Sequence, residues 1–230
     1  MNETLSSSMF FGLFLTLAAY MLALRIKKRF NSGLVNPLLI AIVLCIAVLL
    51  LLNIDYETYN QGAKYISGFL TPATVCLAVP LYTQLDKLKK NFRAIMAGIL
   101  SGVVASLGSI LIMAKIFGFS REEYITFMPK SITTAIGMSI SREMGGNVAI
   151  TVTVIILTGV FGNIICQSVL KLFKIHNKIA KGIAIGTASH AIGTSKAMEI
   201  GEIEGAMSSL SIVVSGILTV ILANLFVRLY

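Results

Sequence analysis

Long apolar stretches without a charged residue constrain the fold of this chain more than any other feature. A helix needs about 20 residues to cross the hydrocarbon core of a bilayer. Of the 230 residues, 56% are hydrophobic and only 13% are charged, a composition that a water-soluble protein does not have. The sequence therefore predicts an all-α integral membrane protein of the cell membrane. The uncharged stretches of sufficient length are residues 5–24, 34–52, 94–114, 147–170 and 205–227.

One further uncharged stretch, residues 65–85, is long enough to span but contains Pro72 and Pro80. Proline removes a backbone donor and its ring clashes with the preceding helical turn. We therefore expect a kinked or broken helix here.

The basic residues are concentrated in three clusters between apolar stretches. A net charge of +9 would suggest nucleic acid for a soluble protein, but cytoplasmic membrane loops also collect lysine and arginine. The clusters predict an amino terminus outside, a cytoplasmic carboxyl terminus and about seven crossings. They comprise Arg25, Lys27, Lys28 and Arg29; Lys87, Lys89, Lys90 and Arg93; and Lys171, Lys174, Lys178 and Lys181.

The crossing number depends on two short segments. The uncharged run 131–141 would be about 16 Å long as a helix, against about 30 Å of hydrocarbon, so residues 128–143 are expected to enter from outside and return. Residues 182–198 are expected to cross as a helix, a break and a second helix. We expect one membrane domain, 1–230, made of scaffold spans (1–60), a broken element and a span (61–126), a re-entrant motif and a span (127–175), and a second motif and span (176–230).

An eleven-residue pattern, A-I-G-x-S-x-x-x-E-x-G, occurs twice, at residues 135–145 and 191–201. A long apolar stretch follows each copy, which indicates a parallel internal repeat of residues 127–170 and 182–228. Small residues also recur where membrane helices pack closely, so a packing origin is the alternative. Gly98 and Gly102, four residues apart, indicate such packing rather than a site.

Clustered hydroxyl groups near the expected helix breaks suggest a binding site. Broken membrane helices expose backbone N–H groups, and the amino end of a helix attracts anions. The alternative is that each hydroxyl bonds back to its own helix. Substrate-binding candidates are Thr71, Ser131, Thr133, Thr134, Ser139, Thr187, Ser189, His190, Thr194 and Ser195. Structural candidates at the breaks are Pro72, Pro80, Pro129, Gly137 and Gly193.

Four ionisable residues are candidates for coupling or gating. His190 lies in an expected crossing and would carry a proton or bond a carboxylate, unless its role is structural. Glu143 and Glu199 end the two motif copies, and we expect a structural or gating role for them. The alternatives are proton coupling, an ion pair with Lys196 or Arg142, or solvation alone. Lys196, like Lys130, would add positive charge to an anion path or extend to the surface.

Four segments carry a resemblance to a known family: T-P-A-T-V-C-L-A-V-P-L-Y at 71–82, P-K-S-I-T-T at 129–134, G-T-A-S-H-A-I-G-T at 186–194 and E-G-A-M-S-S-L at 204–210. The chain resembles the LrgB/CidB membrane proteins, which include the carboxyl-terminal part of the plastid glycolate/glycerate translocator. It departs from the family pattern at Ala135, Gln167 and Asn224, where the family has proline.

The resemblance implies two competing functions. Some members are named as holin-like or antiholin-like regulators of murein hydrolases and autolysis, and others move pyruvate, glycolate or glycerate. From the residues we expect a monocarboxylate transporter, because a nonspecific hole does not require broken helices with clustered hydroxyls. The resemblance also implies a small LrgA/CidA-type membrane partner. A homodimer remains an open alternative.

Other functions find little support in the sequence. The chain has neither H-E-x-x-H nor G-x-S-x-G, so no catalytic residues, metal site or cofactor are expected. Nucleic-acid binding is not expected either, because the basic clusters lack interleaved aromatic residues.

Overall fold

The computed structural model describes residues 10–30, 36–76 and 78–230, and these residues are predominantly helical. The chain divides into two compact units, Met1–Cys76 and Leu77–Tyr230. The side chains of Thr71 and Pro80 lie outside what the structure describes.

The first unit is built from α1 (Phe11–Phe30), α2 (Pro37–Leu51), α3 (Tyr56–Gly68) and α4 (Leu70–Cys76). Helix α1 packs against both α2 and α3. Gly12 lies against the backbone of Tyr59, and the Tyr59 hydroxyl is 2.8 Å from Thr16 Oγ1. The side chain of Asp55 caps α3 by accepting from the Thr58 backbone N–H, which holds the pKa of this carboxyl below its usual range.

The proline-containing stretch is divided into short helices, as predicted. Helix α3 ends at Gly68, and α4, α5 (Ala78–Thr83) and α6 (Leu85–Lys90) follow. Pro72 and Pro80 are the third residues of α4 and α5. The missing N–H of proline costs little in a first turn, because those N–H groups have no helical acceptor.

Three long helices form the frame of the second unit: α7 (Phe92–Phe117), α10 (Val148–Leu172) and α12 (Glu202–Leu229). Within the described residues these are the helices long and apolar enough to cross a membrane. The predicted all-helical membrane architecture is therefore confirmed. The prediction of seven crossings is not.

A first helical hairpin separates α7 from α10. It consists of α8 (Arg121–Phe127), a turn at residues 128–133 and α9 (Thr134–Met144). The chain reverses within it, because residues on both arms meet the same side chain of α10. Thr151 Oγ1 lies 2.9 Å from the Thr126 carbonyl oxygen and 2.8 Å from Ser141 Oγ. The reversal predicted for residues 128–143 is present, and the incoming arm begins earlier, at Arg121.

A capping box begins the incoming arm of the first hairpin. Ser120 Oγ accepts from the Glu123 backbone N–H, and Glu123 Oε2 accepts from the Ser120 backbone N–H at 2.7 Å. The bond from the Ser120 backbone holds the pKa of the Glu123 carboxyl below its usual range.

A second helical hairpin separates α10 from α12. It is α11 (Lys178–Ile200), in which His190 has non-helical angles, φ 41° and ψ −140°. A Cβ atom built on Gly193 would lie 3.1 Å from Ile185 Cγ2, although residues eight apart on a straight helix are separated by about 12 Å. Helix α11 thus has an outgoing arm, 178–189, and a returning arm, 191–200.

The second hairpin corrects the predicted topology. Residues 182–198 break at His190 as expected, but they reverse instead of crossing, so α12 starts where α10 ends. The ends of α12 confirm this direction: Gln84 Nε2 donates to Glu202 Oε1 at 3.2 Å, and the Tyr230 hydroxyl donates to the Phe119 carbonyl oxygen. Helices α7 and α12 are parallel, whereas the sequence analysis gave them opposite directions, and that prediction was wrong.

The internal repeat is inverted, not parallel. Each motif copy lies on the returning arm of a hairpin, the first on α9 and the second on residues 191–200 of α11. A hairpin returns the chain to the side it came from, so the helices that follow the two copies, α10 and α12, run in opposite directions. The second unit is therefore a span and hairpin followed by an inverted span and hairpin, and α12 completes it.

The corrected topology predicts the sidedness of cysteine labelling. In a chain whose native cysteines are replaced, Lys90→Cys and Glu202→Cys should react with a membrane-impermeant thiol reagent from the same side of sealed vesicles. Arg121→Cys should react from the opposite side. If Glu202→Cys reacted from the same side of the vesicles as Arg121→Cys, the reversal of the chain in the second hairpin would be contradicted.

Candidate functional site

A cavity of about 750 Å³ lies in the second unit, between α7 and the outgoing arm of the second hairpin. This volume is typical of small-molecule sites. Asn91 and Asn177, which precede α7 and α11, line one end of it, and Ser106, Lys130 and Ser131 line its far end. This central cavity thus runs from one end of α7 to the tip of the first hairpin.

The far end of the central cavity carries a positive charge among hydroxyl groups. Lys130 Nζ and Ser106 Oγ each lie 3.0 Å from Ser131 Oγ and donate to it. Because the Ser131 oxygen accepts both bonds, its own hydrogen remains to donate to a ligand. No described residue that lines the cavity is acidic. The far end can therefore bind a small anion.

Small residues form the walls of the central cavity. Gly98 lies against Ile183, and a Cβ atom built on Gly102 would lie 2.9 Å from Thr187 Oγ1. Both glycines bring α7 close to the second hairpin, as predicted for packing residues, and both also line the cavity. Thr187 is buried and bonds its hydroxyl to the Ile183 carbonyl oxygen at 2.8 Å.

Beyond the far end of the central cavity, the space between the polar side chains becomes very small. A void of about 10 Å³ continues past Ser131 towards Ser215 and Thr219 of α12, and both of these side chains are buried. A cavity needs at least about 10–15 Å³ to hold one water molecule. The route is therefore constricted behind the first hairpin.

Two of the predicted substrate-binding residues, Ser131 and Thr187, meet in the central cavity. Thr133 and Thr134 begin α9 and are half-buried, but they do not line it. Ser139 and Ser195 are exposed, and each bonds to its own helix.

The remaining buried candidates hold the second hairpin in place. His190 Nε2 is 2.9 Å from the Ile155 carbonyl oxygen, and because a carbonyl only accepts, Nε2 carries the proton. Ser189 packs against Gly162 of α10. Thr194 Oγ1 contacts Ser208 Oγ of α12 at 2.7 Å. These contacts place His190, Ser189 and Thr194 outside the central cavity.

Besides the buried His190, the predicted coupling or gating residues lie on the returning arms of the hairpins. Glu199 and Lys196 form an ion pair at 2.7 Å on the returning arm of the second hairpin, and Glu143 is exposed on α9. None of the three lines the central cavity. The ion-pair alternative is thus present for Glu199, while coupling and gating stay predictions.

The predicted structural residues of the hairpins have packing roles. Pro129 is buried in the turn of the first hairpin. A Cβ atom built on Gly137 would lie 2.4 Å from Ile155 Cδ1, and one on Gly193 would lie 2.5 Å from Ser189 Cβ. Both glycines allow a returning arm to approach its neighbour closely.

Several cavity residues were not among the predicted site residues: Asn91, Ser101, Ser106, Asn177 and Lys130, the last considered only as a charge in an anion path. A weak signal existed on α7, where Ala94, Gly98, Ser101 and Ala105 recur at helical spacing. In a membrane helix, however, such a stripe also marks ordinary packing.

Comparison with known proteins identifies the family. The LrgB-like family matches residues 16–229. The chain belongs to this family. It is 36% identical to the holin-like protein CidB of Staphylococcus epidermidis over 230 residues, the full length of both chains. It is 37% identical over 216 residues to the holin-like protein CidB of Staphylococcus aureus, which covers 94% of each chain.

A third relative is named antiholin-like and not holin-like. The antiholin-like protein LrgB of Bacillus mycoides is 39% identical over 218 residues, which covers 94% of this chain and 95% of that protein. No solved structure matches the chain. The resemblance stated from the sequence is confirmed, and the names of the relatives support the holin-like or antiholin-like alternative better than carboxylate transport.

Proposed function

We propose that this protein is a holin-like or antiholin-like membrane protein that controls solute movement across the cell membrane and, through it, autolysis. Identity of 36–39% over nearly the whole chain to relatives with these names supports this proposal. The three membrane-length helices of the second unit are consistent with it.

A second candidate function, transport of a small monocarboxylate, rests on the central cavity. A nonspecific hole would be continuous, whereas this cavity is constricted to a void of about 10 Å³ behind the first hairpin. An anion that reached the far end would meet the Lys130 amine and the Ser106 and Ser131 hydroxyls. Charge-assisted hydrogen bonds of this kind suit a carboxylate.

The basic clusters support a proposal for which side of the membrane each end of the second unit faces. The clusters that follow α5 and α10 both lie at the end of the unit where α7 begins, and lysine-rich loops are cytoplasmic. We infer that Asn91 and Asn177 open the central cavity to the cytoplasm and that the carboxyl terminus lies outside. Together with α1, α2 and the broken stretch, α7, α10 and α12 would give about six crossings.

A flux assay with Lys130→Met separates the two candidate functions. If the protein is a selective transporter, proteoliposomes that contain it should take up labelled pyruvate at least tenfold faster than glycerol. Lys130→Met should slow pyruvate by about ten- to a hundredfold, since a hydrogen bond to a charged group is worth about 1.5–3 kcal/mol. The measurement is initial uptake, with and without a small LrgA/CidA-type protein, the proposed partner.

Lys196→Met is the matched control, because Lys196 is paired with Glu199 away from the central cavity. It should retain pyruvate uptake. Equal passage of pyruvate and glycerol, unchanged by Lys130→Met, would rule out the selective transporter and leave the holin-like function.

A further inference from the structure

A second pocket, separate from the central cavity, lies where α10 ends and α11 begins. It has a volume of about 370 Å³, and its polar lining includes Gln167, Lys171, His176 and Lys181. None of these side chains has a role in the proposed solute route. We call it the basic pocket.

The charges around the basic pocket favour an anion. Lys171 and Lys181 line it from different helices, no acidic residue is among its described lining residues, and neither lysine belongs to an ion pair found in the described chain. Lys171 is in the last turn of α10, where the helix dipole stabilises a positive charge. Lys181 is near the first turn of α11, where the helix dipole does not. An anion held between the two lysines would relieve their mutual repulsion.

An apolar groove adjoins the basic pocket. The two share Leu170, and the groove runs between α10 and the outgoing arm of the second hairpin, past Val169, Ile165 and Ile185, towards Ser189. From Leu170 to Gly162 the groove follows about 12 Å of α10. It is therefore directed from the end of a membrane helix towards the membrane interior, as an acyl chain would be.

We propose that the basic pocket and its groove bind one anionic phospholipid. The phosphate group lies between Lys171 and Lys181 with His176 beside it, and one acyl chain follows the groove past Val169. Basic pockets between membrane helices on the cytoplasmic side are the sites where anionic headgroups bind. A free phosphate ion would use the lysines but would not require the groove.

Native mass spectrometry of the purified full chain tests the headgroup site. Phosphatidylglycerol should be retained at least fivefold more than phosphatidylcholine with the same acyl chains. The double variant Lys171→Gln/Lys181→Gln should reduce retention to the phosphatidylcholine level. Lys174→Gln/Lys178→Gln removes the same charge from the same loop outside the pocket and should retain the preference. Equal loss in both double variants would overturn the site and indicate a nonspecific basic surface.

A second variant tests the groove. Val169→Trp should fill the groove and lower phosphatidylglycerol retention at least fivefold, whereas Val213→Trp, on the exposed face of α12, should not. Full retention in Val169→Trp overturns the acyl-chain site. Stabilisation of the protein by inorganic phosphate, dependent on Lys171 and Lys181 and without phospholipid retention, would identify a free phosphate site and overturn the lipid proposal.

Discussion

Ala105→Trp should abolish solute flux through the protein while leaving it folded in the membrane. Ala105 is an exposed residue on the cavity face of α7, next to Ser106. An indole there would lie between Asn91 and Lys130, and tryptophan brings about 150–250 Å² of apolar surface into the path. We expect at least a fiftyfold loss of uptake in proteoliposomes, larger than the loss from Lys130→Met.

Val104→Trp is the control for Ala105→Trp. It adds an indole to the adjacent residue, which is 45% exposed and lines no part of the central cavity. Uptake by Val104→Trp should stay within twofold of the unchanged protein. If Ala105→Trp conducts normally, the central cavity is not the solute route. If Ala105→Trp loses solute flux but changes autolysis in cells as much as the unchanged protein does, the effect on autolysis does not act through the central cavity.

Gly162→Val should destabilise the protein more than any other single substitution proposed. A Cβ atom on Gly162 would overlap the Ser189 hydroxyl at the tip of the second hairpin. Ser189 cannot move away freely, because the adjacent His190 is held to the Ile155 carbonyl and Asn163 Nδ2 donates to the Ile192 carbonyl oxygen at 2.8 Å. Overpacking costs about 1–3 kcal/mol and occasionally more, and we expect the upper end of this range.

Thermal unfolding in detergent measures the effect of Gly162→Val. For a chain of this size, about 3 kcal/mol corresponds to a fall in Tm of roughly 6–12 °C. Gly108→Val is the matched control, because Gly108 lies on another membrane helix and a Cβ atom there would meet nothing within 4 Å. Its Tm should change by less than about 2 °C. Equal Tm values for the two variants would contradict the close packing of the hairpin tip on α10.

The sequence predicted the long helices because hydropathy alone determines them. The apolar stretches 94–114, 147–170 and 205–227 correspond to α7, α10 and α12, which extend them by a few residues at most ends. The two prolines correctly predicted a broken stretch, since their effect on a helix is local. Length correctly predicted the first hairpin, because residues 131–141 are too short to span.

The second hairpin could not be predicted in this way. Its sharp reversal occurs at His190, where φ is +41°, a conformation that residues other than glycine adopt rarely. What stabilises it is distant in sequence: the Ile155 carbonyl and the space left by Gly159 and Gly162 on α10. The predicted topology went wrong at residues 182–198, because a helix-break-helix that crosses and a hairpin that returns have the same local sequence pattern.

Two of the predicted substrate-binding residues, Ser131 and Thr187, line the central cavity. Both adjoin the repeated motif, and the inverted repeat brings them together; their binding role stays a prediction. Ser101 and Ser106 were missed because hydroxyls on an apolar helix usually bond to their own backbone. The role of Lys130 depends on which neighbours are charged, and that requires the three-dimensional arrangement.

The second hairpin also imposes an order on biosynthesis. Thr194 and Gly186 on its two arms both pack against Ser208 of α12, yet α12 leaves the ribosome after the hairpin. Until it emerges, the hairpin has no partner for this polar face, and lipid cannot supply one. The nascent chain therefore has to shelter residues 178–200 in the insertion machinery, or at the aqueous surface, until α12 has been synthesised.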